Sequence, residues 1–509
     1  MNESDELTRV GDVSYPESDM PDGLLPSVVA ALNGERISYC YWKSARRVDL
    51  AMSGRTDLDL LVARSDQHRM QQILIQHDFK LFPSISGSDH PAILNFVGFD
   101  PASGGLLHIH LHTQLASGEP LLKNYRIPWE DAVLARAQHH PTHAIRVLDP
   151  ACEALLSVVR TCLELQPIDP IAARSRREKA QRFELDRRSL VRLVDRNELH
   201  QTAAVLCGTE LSSELADAAF DDERLEDRSP LRRKVKAYLA PYRSYNMIEA
   251  RLRAVGRAAI WAFGHANGSL LYLPRPWNRR APGGGSVIAV IGVDGSGKST
   301  VMKAMQTWLR PQVDVVPIYF GTGDGRPSIL LRPLKWIAPI ASRLMKHKPP
   351  GSSHGNISDR RHGPWYSLLL TGWALAVAQD KRKKLVQARR AANRGLVVIA
   401  DRYPQSEIPA FNDGPLLTRL IGVPAPVRRL EARVYDLAHR MPPNLVIRLK
   451  VTPETAAKRE PDMNPAVIRQ RVLELDQLKF PGSRIVDVDA ELPLADVIQT
   501  VKCEIWRQL

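Results

Sequence analysis

The chain has 509 residues, of which 44% are hydrophobic and 25% charged, with a formal net charge of +14. That is the balance of a soluble globular protein with more than one domain. The five cysteines (Cys40, Cys152, Cys162, Cys207 and Cys503) are scattered with no Cys-x-x-Cys pair, which excludes a disulfide framework and a zinc ribbon and points to a reducing, cytoplasmic compartment.

The charge is unevenly spread. From Ser286 onward there are 34 Lys/Arg against 20 Asp/Glu, whereas the first 285 residues balance at 36 and 36. A basic half suits anionic substrates carrying phosphates; a nucleic-acid or membrane partner and a merely solvated basic face are the alternatives. The acidic, polar start (Met1 to Glu6) is no signal peptide and reads as the beginning of a disordered tail over 1–24.

Leu58 to Val62 has the pattern of a strand, followed by a helix over Ser65 to His77. Asp57 and Asp59 fall on one face of that strand, because residues i and i+2 point the same way. Two adjacent carboxylates suit Mg²⁺. Upstream lies Trp42-Lys43-Ser44, with 12 residues between Ser44 and Asp57, and a later strand carries His108, His110 and His112 alternating onto one face, which is also metal-ligand chemistry. A polar sheet face without metal is the other reading of these histidines. The Asp57/Asp59 pair with Ser44 upstream resembles the nucleotidyltransferase superfamily that includes polymerase β and the aminoglycoside nucleotidyltransferases. The resemblance implies an α+β domain over 25–149, with a helical domain after it. Lys43 replaces a Gly of that family's phosphate clip, and the later strand lacks its third carboxylate. From about Pro150 the pattern turns helical, with Arg/Glu/Leu/Ala-rich stretches such as Ser175 to Arg196, so 150–272 is read as a helical module. The Pro-, Gly- and Arg-rich run at 273–285 reads as a linker.

After the linker, the apolar run Ser286 to Ile291 reads as a buried parallel strand. It leads into Gly292-Val-Asp-Gly-Ser-Gly297-Lys298-Ser299-Thr300 and then a helical pattern from Val301. A strand, then G-x-x-x-x-G-K-S, then a helix is the setting of a P-loop. The glycines let backbone N–H groups close around phosphate oxygens, Lys298 reaches the β- and γ-phosphates, and Ser299 ligates Mg²⁺. Gly292, Asp294, Gly295, Ser296, Gly297, Lys298, Ser299 and Thr300 are therefore the candidate ATP-binding residues.

Further strands are expected at 315–320, 396–400 and 445–451 with helices between them, which makes 286–509 an α/β, doubly wound parallel sheet. The basic, Pro-rich stretch Arg326 to Pro364 reads as an insertion: an acceptor lid, a membrane-surface contact or a plain loop. Trp365 to Ala378, about 14 residues long, is too short to span a membrane and reads as a buried helix. The strand at 396–400 ends in Asp401-Arg402-Tyr403, at the end where open α/β sheets bind ligands. There Asp401 is a candidate Mg²⁺ ligand with Ser299, and Arg402 a phosphate clamp.

The glycine motif, Asp401-Arg402-Tyr403, the run Pro443 to Glu454 with Arg459, and the ending Ile485 to Ala490 together resemble thymidylate kinase, over roughly 286–509. The resemblance implies a nucleoside-monophosphate-kinase fold that moves the γ-phosphoryl of ATP to a small phosphorylated acceptor. Carried over, Lys298, Asp401, Arg402 and Arg459 are the catalytic candidates, Asp294 contacts the acceptor end, and Arg459, Arg469 or Arg471 supplies a lid charge. The chain departs from that family at Tyr319 to Gly325 and at Gln379-Asp380-Lys381, the parts that recognise the base. The expected partners are a nucleoside triphosphate and a small anionic acceptor; a homodimer is left open.

Overall fold

The computed structural model describes residues 23–90, 92–119, 122–165, 173–221, 229–267, 273–321, 364–408, 414–419 and 422–509. Most of the expected tail and nearly all of the expected insertion lie outside these residues. The tail reading extends one residue too far. The helix Leu24–Gly34 starts at Leu24, because Leu25, Val28, Val29 and Leu32 bury against the first sheet.

The first half is built on a mixed sheet whose strands are β1 (Tyr39–Tyr41), β2 (Leu58–Val62), β3 (Lys80–Leu81), β4 (Ile93–Asp100), β5 (Gly105–His112), β8 (Gln138–His139) and β9 (Arg146–Val147). Their order is β3-β4-β5-β2-β1-β9-β8, and a separate ribbon pairs β6 (Leu115–Ser117) with β7 (Tyr125–Ile127). The central pair, β2 and β5, is parallel and sets Asp59 opposite His110. Alternation then sorts the two faces. Leu58, Leu60 and Val62 with Leu107, Ile109 and Leu111 pack under the helices Leu24–Gly34 and Gln67–Gln76. Asp59 and the even-numbered histidines of β5 are left to the other face.

That face is roofed in part by helices. Pro150–Glu164 begins with Asp149 accepting from the Ala151 and Cys152 amides and with Pro at its first position, a strong start signal. It is buried nearly all round, as befits the centre of a bundle. Ala173–Leu190, Arg196–Cys207, Thr209–Phe220 and Ser229–Tyr238 surround it, and Cys40, Trp42 and Leu61 of the sheet share their core. One hydrophobic core therefore runs across the expected boundary at residue 150. The helix Met247–Ala266 behaves differently: only Ala250 and Arg257 are buried, and Ile248, Leu252, Val255, Trp261 and Phe263 are exposed.

The second half is a five-stranded, wholly parallel sheet of β10 (Ser286–Gly292), β11 (Val315–Tyr319), β12 (Val397–Asp401), β13 (Leu445–Lys450) and β14 (Arg484–Asp489), in the order β11-β12-β10-β13-β14. Every residue of β10 is buried, as expected for a central parallel strand with helices on both faces. All four expected strands are present. The helix read as buried at 365–378 belongs to the longer Pro364–Asn393. It is buried only in part: Ala374, Val377 and Ala378 face the interior while Leu368 is exposed.

The halves are packed together. Phe82 and Phe99 join the core of the second half beside Trp506, whose indole N–H donates to Asp78 at 2.7 Å while Lys80 donates to the Trp506 carbonyl at 2.5 Å. The stretch read as a linker is held as a seam. The Trp277 and Asn278 amides both donate to Asp314 at 2.7 Å, and the Arg280 and Ala281 amides donate to Pro83 and Gly395. No described helix is long and apolar enough to cross a membrane, and all five cysteines are free of disulfides.

Candidate functional sites

The glycine loop leaves β10 at Gly292 and enters the helix Lys298–Leu309. Gly292 is required by close approach: a Cβ there would lie 2.5 Å from Ser296 Oγ and 3.1 Å from the Leu449 carbonyl. Gly297 takes a left-handed conformation (φ 85°) just before the helix, and a Cβ there would meet nothing within 4 Å. The loop thus frames open space at a helix N-terminus, where backbone N–H groups and the helix dipole favour an anion. Ser299 and Thr300 are exposed in the first turn, while Ser296 is buried, its Oγ without a hydrogen-bond partner among the described residues.

Lys298 is buried and folded back so that Nζ donates to the Val293 carbonyl at 2.7 Å. Burial, with the Arg402 charge beside it, pushes its pKa down to about 8 against the opposing pull of Asp294 and Asp401. Asp401 ends β12 in register with Val290 of β10, so the neighbouring strand delivers it beside the loop. Arg402 follows in a left-handed conformation (φ 66°), which costs a non-glycine residue about 1–2 kcal/mol and is held by its amide donating to Val290 at 3.0 Å. Its guanidinium donates to Asp294 Oδ1 at 3.2 Å, and Arg471 from the helix Pro465–Gln477 donates to Asp294 Oδ2 at 2.7 Å. Arg459 donates to the Gly295 carbonyl at 3.2 Å. Three guanidinium groups therefore lie around the loop, whereas Arg469 is exposed. The sequence reading did not find that Asp294 anchors both Arg402 and Arg471. Ser299 and Asp401 offer a hydroxyl and a carboxylate, hard oxygen donors that fit Mg²⁺.

Of the departing residues, Asp380 and Lys381 are turned inward. Lys384 pairs with Asp380 at 2.7 Å and donates to the Tyr319 carbonyl, while Lys381 donates to the Tyr435 hydroxyl at 3.2 Å.

The second cluster lies in the first half, at a cleft of about 610 Å³ between sheet and helical module. Asp57 accepts from His108 at 2.9 Å. On Asp59 Oδ1 converge His110 Nδ1 at 3.2 Å, His112 Nε2 at 3.1 Å and Lys43 Nζ at 2.8 Å. Burial alone would raise the Asp59 pKa, but Lys43 and the two imidazoles outweigh it and hold the carboxyl well below its usual range. Burial drives His108 down to about 4 and His112 to about 3, so both rings are neutral at pH 7. The five residues named from the sequence, Asp57, Asp59, His108, His110 and His112, are thus brought together, and Ser44 lines the same cleft.

The sequence reading missed the cleft's cations. Arg160 and Lys179 come from the helical module, Arg47 from the short 3-10 helix Ala45–Arg47, and Lys123 and Arg55 from loops of the first half. Burial would raise Glu164, but Arg160 and Lys179 pull it down to about 2; burial pushes Lys123 down to about 8. The carboxylates do not fit a pair of Mg²⁺ ions. Facing them, β5 supplies imidazoles where hard oxygen ligands are needed, and Lys43 is seated on Asp59.

No family model matches the chain. Over 223 residues, 42% of this chain and 89% of the relative, it is 31% identical to a protein of Escherichia coli K12 described as "Uncharacterized ATP-binding protein YghS". Over 217 residues, 42% of this chain and 84% of the relative, it is 27% identical to "Uncharacterized ATP-binding protein YghR" of the same organism.

Proposed function

Because the chain belongs, over those 223 residues, to the family of YghS, we propose that its second half binds ATP at the Gly292–Thr300 P-loop and transfers the γ-phosphoryl group to a small anionic acceptor. The aligned length is close to that of the half from Ser286 onward, the half that holds the loop. The observation that carries the reading is the loop itself: a glycine-framed helix N-terminus with Lys298 and Ser299 at its mouth, Asp401 on the adjacent strand end, and Arg402, Arg459 and Arg471 around it.

In this reading the loop amides cradle the phosphates and Lys298 leaves the Val293 carbonyl to reach them. Ser299 and Asp401 hold Mg²⁺, which neutralises phosphate charge when bound. Asp294 holds Arg402 and Arg471 in place before substrate arrives. Positive charge is then ready where charge spreads over the transferring phosphoryl oxygens, and little reorganisation is left for the reaction step. The thymidylate kinase resemblance supports this phosphate handling. Asp380 and Lys381, tied to Lys384 and Tyr435, differ from that family's base-recognition segment, so this reading does not favour thymidine monophosphate and takes the acceptor as another nucleoside monophosphate or a related phosphorylated compound.

The test is phosphoryl transfer from labelled ATP, with Mg²⁺, to nucleoside monophosphates and nucleosides, using Lys298→Ala as control. Transfer to one acceptor that disappears in the variant supports the reading. ATP binding with no transfer to any acceptor defeats it in favour of an ATP-dependent regulatory module. A second reading rests on the cationic cleft around Asp57 and Asp59: the first half is a nucleotidyltransferase-like domain, active or degenerate, that transfers or holds a nucleotide. Nucleotidyl transfer lost in Asp57→Ala and kept in Lys298→Ala would favour it.

A further inference from the structure

The histidine face of β5 is built for a different ion than the one the paired carboxylates first suggest. We infer that Asp59, His110 and His112 form a site for one divalent transition-metal ion of the Zn²⁺ class, with Lys43 as the resident cation that the metal displaces. This inference does not depend on phosphoryl transfer in the other half.

Ligand chemistry is the first argument. Two imidazoles and one carboxylate suit Zn²⁺ and its neighbours, whereas Mg²⁺ demands oxygen ligands in near-octahedral array. Geometry is the second. Zn²⁺ binds nitrogen and carboxylate oxygen at about 2.0–2.2 Å, so tetrahedral ligand atoms sit about 3.4 Å apart. Asp59 Oδ1 is 3.2 Å from His110 Nδ1 and 3.1 Å from His112 Nε2, a few tenths of an ångström from that spacing. The ligand atoms of the trio all lie within 4.8 Å of one another.

The backbone holds this geometry. The parallel β2–β5 ladder sets Asp59 against His110, and the Trp42 ring packs edge-on against His112 with centroids 5.0 Å apart. Asp57, His108 and His110 make a second trio. It draws on the same His110 nitrogen, which lies 3.8 Å from Asp57 Oδ2 and 3.2 Å from Asp59 Oδ1. The two trios are therefore alternatives, the stoichiometry is one ion per chain, and the Asp59 trio is the tighter.

Lys43 supplies the third argument. Its ammonium lies 2.8 Å from Asp59 Oδ1 and supplies a positive charge beside a buried carboxylate. It is partly exposed on the cleft and lies 5.9 Å from the Trp42 ring centroid, so a displaced ammonium has both water and an aromatic face available. Binding exchanges one cation for another; the ring nitrogens turn their lone pairs to the metal, and their protons move to the other ring nitrogens.

The experiment is calorimetric titration of the full chain with ZnCl₂ in excess Mg²⁺, repeated with Co²⁺ to follow the visible absorption of the bound ion. One Zn²⁺ per chain is expected. His110→Ala should weaken binding about 100-fold, Lys43→Met should tighten it about tenfold, and Asp57→Asn should change it less than about threefold. His110 is only partly buried, and unchanged circular dichroism would show that its variant folds. A gain of affinity in Lys43→Met cannot come from misfolding. Absence of stoichiometric Zn²⁺ binding, binding that survives His110→Ala, or competition by Mg²⁺ at equal affinity would overturn the site. No gain in Lys43→Met would overturn the role given to Lys43.

Discussion

The two sheets of this protein place their chemistry differently. In the second half all five strands are parallel, and the polar groups of the loop site cluster at the carboxyl ends of β10 and β12, on Lys298, Asp401 and Arg402. In the first half the sheet is mixed, and the polar groups stand on the strands themselves, with Asp59 and three histidines lining one face while leucines line the other. A sheet buried on both faces has no room for uncompensated charge, so ligand contacts move to the loops. A sheet whose second face is only partly roofed can keep a polar ladder, provided its members satisfy one another, as Lys43, His110 and His112 do for Asp59.

The comparison is broken most sharply by separating the halves chemically. Lys298→Ala should reduce phosphoryl transfer about 10³-fold, the scale of losing a preorganised charge at the transferring group, while Asp57→Ala leaves that transfer intact. An equal loss in both variants, in a steady-state assay, would mean that the two sites share one reaction. The next largest effect is at the seam. Trp506 is buried between the halves, stacks near Phe82 and Phe99, and donates to Asp78. Trp506→Ala should cost about 3–5 kcal/mol and split calorimetric unfolding into two transitions. A single, barely shifted transition would show that the packing across the seam is not what couples them.

Smaller effects sharpen the contrast between the sites. Glu153, buried beneath the cleft and accepting from the Ala45 amide at 3.1 Å, has its pKa pushed up to about 8 by burial. A raised carboxyl binds its proton more tightly folded than unfolded, so stability is full below the unfolded value of 4.5 and is lost as pH rises toward 8. Glu153→Gln should flatten that slope and raise stability at pH 8 by about 1–2 kcal/mol, measured as melting temperature against pH. The smallest change concerns Lys298, whose pKa near 8 means the free protein's ammonium discharges as pH rises through that value. ATP affinity should fall up to about tenfold between pH 7 and 9, and Lys298→Arg should remove the dependence. A pH-independent affinity would show that Lys298 is not the group that meets the phosphates.

The loop site was legible because its parts are local. A strand, a glycine turn and a helix start follow one another within Ser286 to Leu309, and the spacing alone dictates their geometry. Asp401 and Arg402 were legible at a strand end, since buried parallel strands read as continuous apolar runs. Arg471 was only one of three lid candidates, because its partner Asp294 lies 177 residues earlier in the chain. In the first half, alternation in each strand exposed the carboxylate pair and the three histidines, but no local pattern shows that β2 lies beside β5.

By itself, the sequence determined the glycine loop between strand and helix, the parallel sheet that carries it, and the residue types of the polar ladder. These follow from periodicity and short-range backbone geometry. Only the tertiary structure decided that Asp59 meets His110, His112 and Lys43, that Arg402 and Arg471 both rest on Asp294, and that the helical module brings Arg160 and Lys179 to the cleft. It also decided that the 273–285 stretch is a packed seam, with Ala281 buried and Trp277 and Asn278 bonded to Asp314. Those contacts join segments far apart in the chain. They are set by strand register and by which apolar faces find each other, and neither is written in any one stretch of residues.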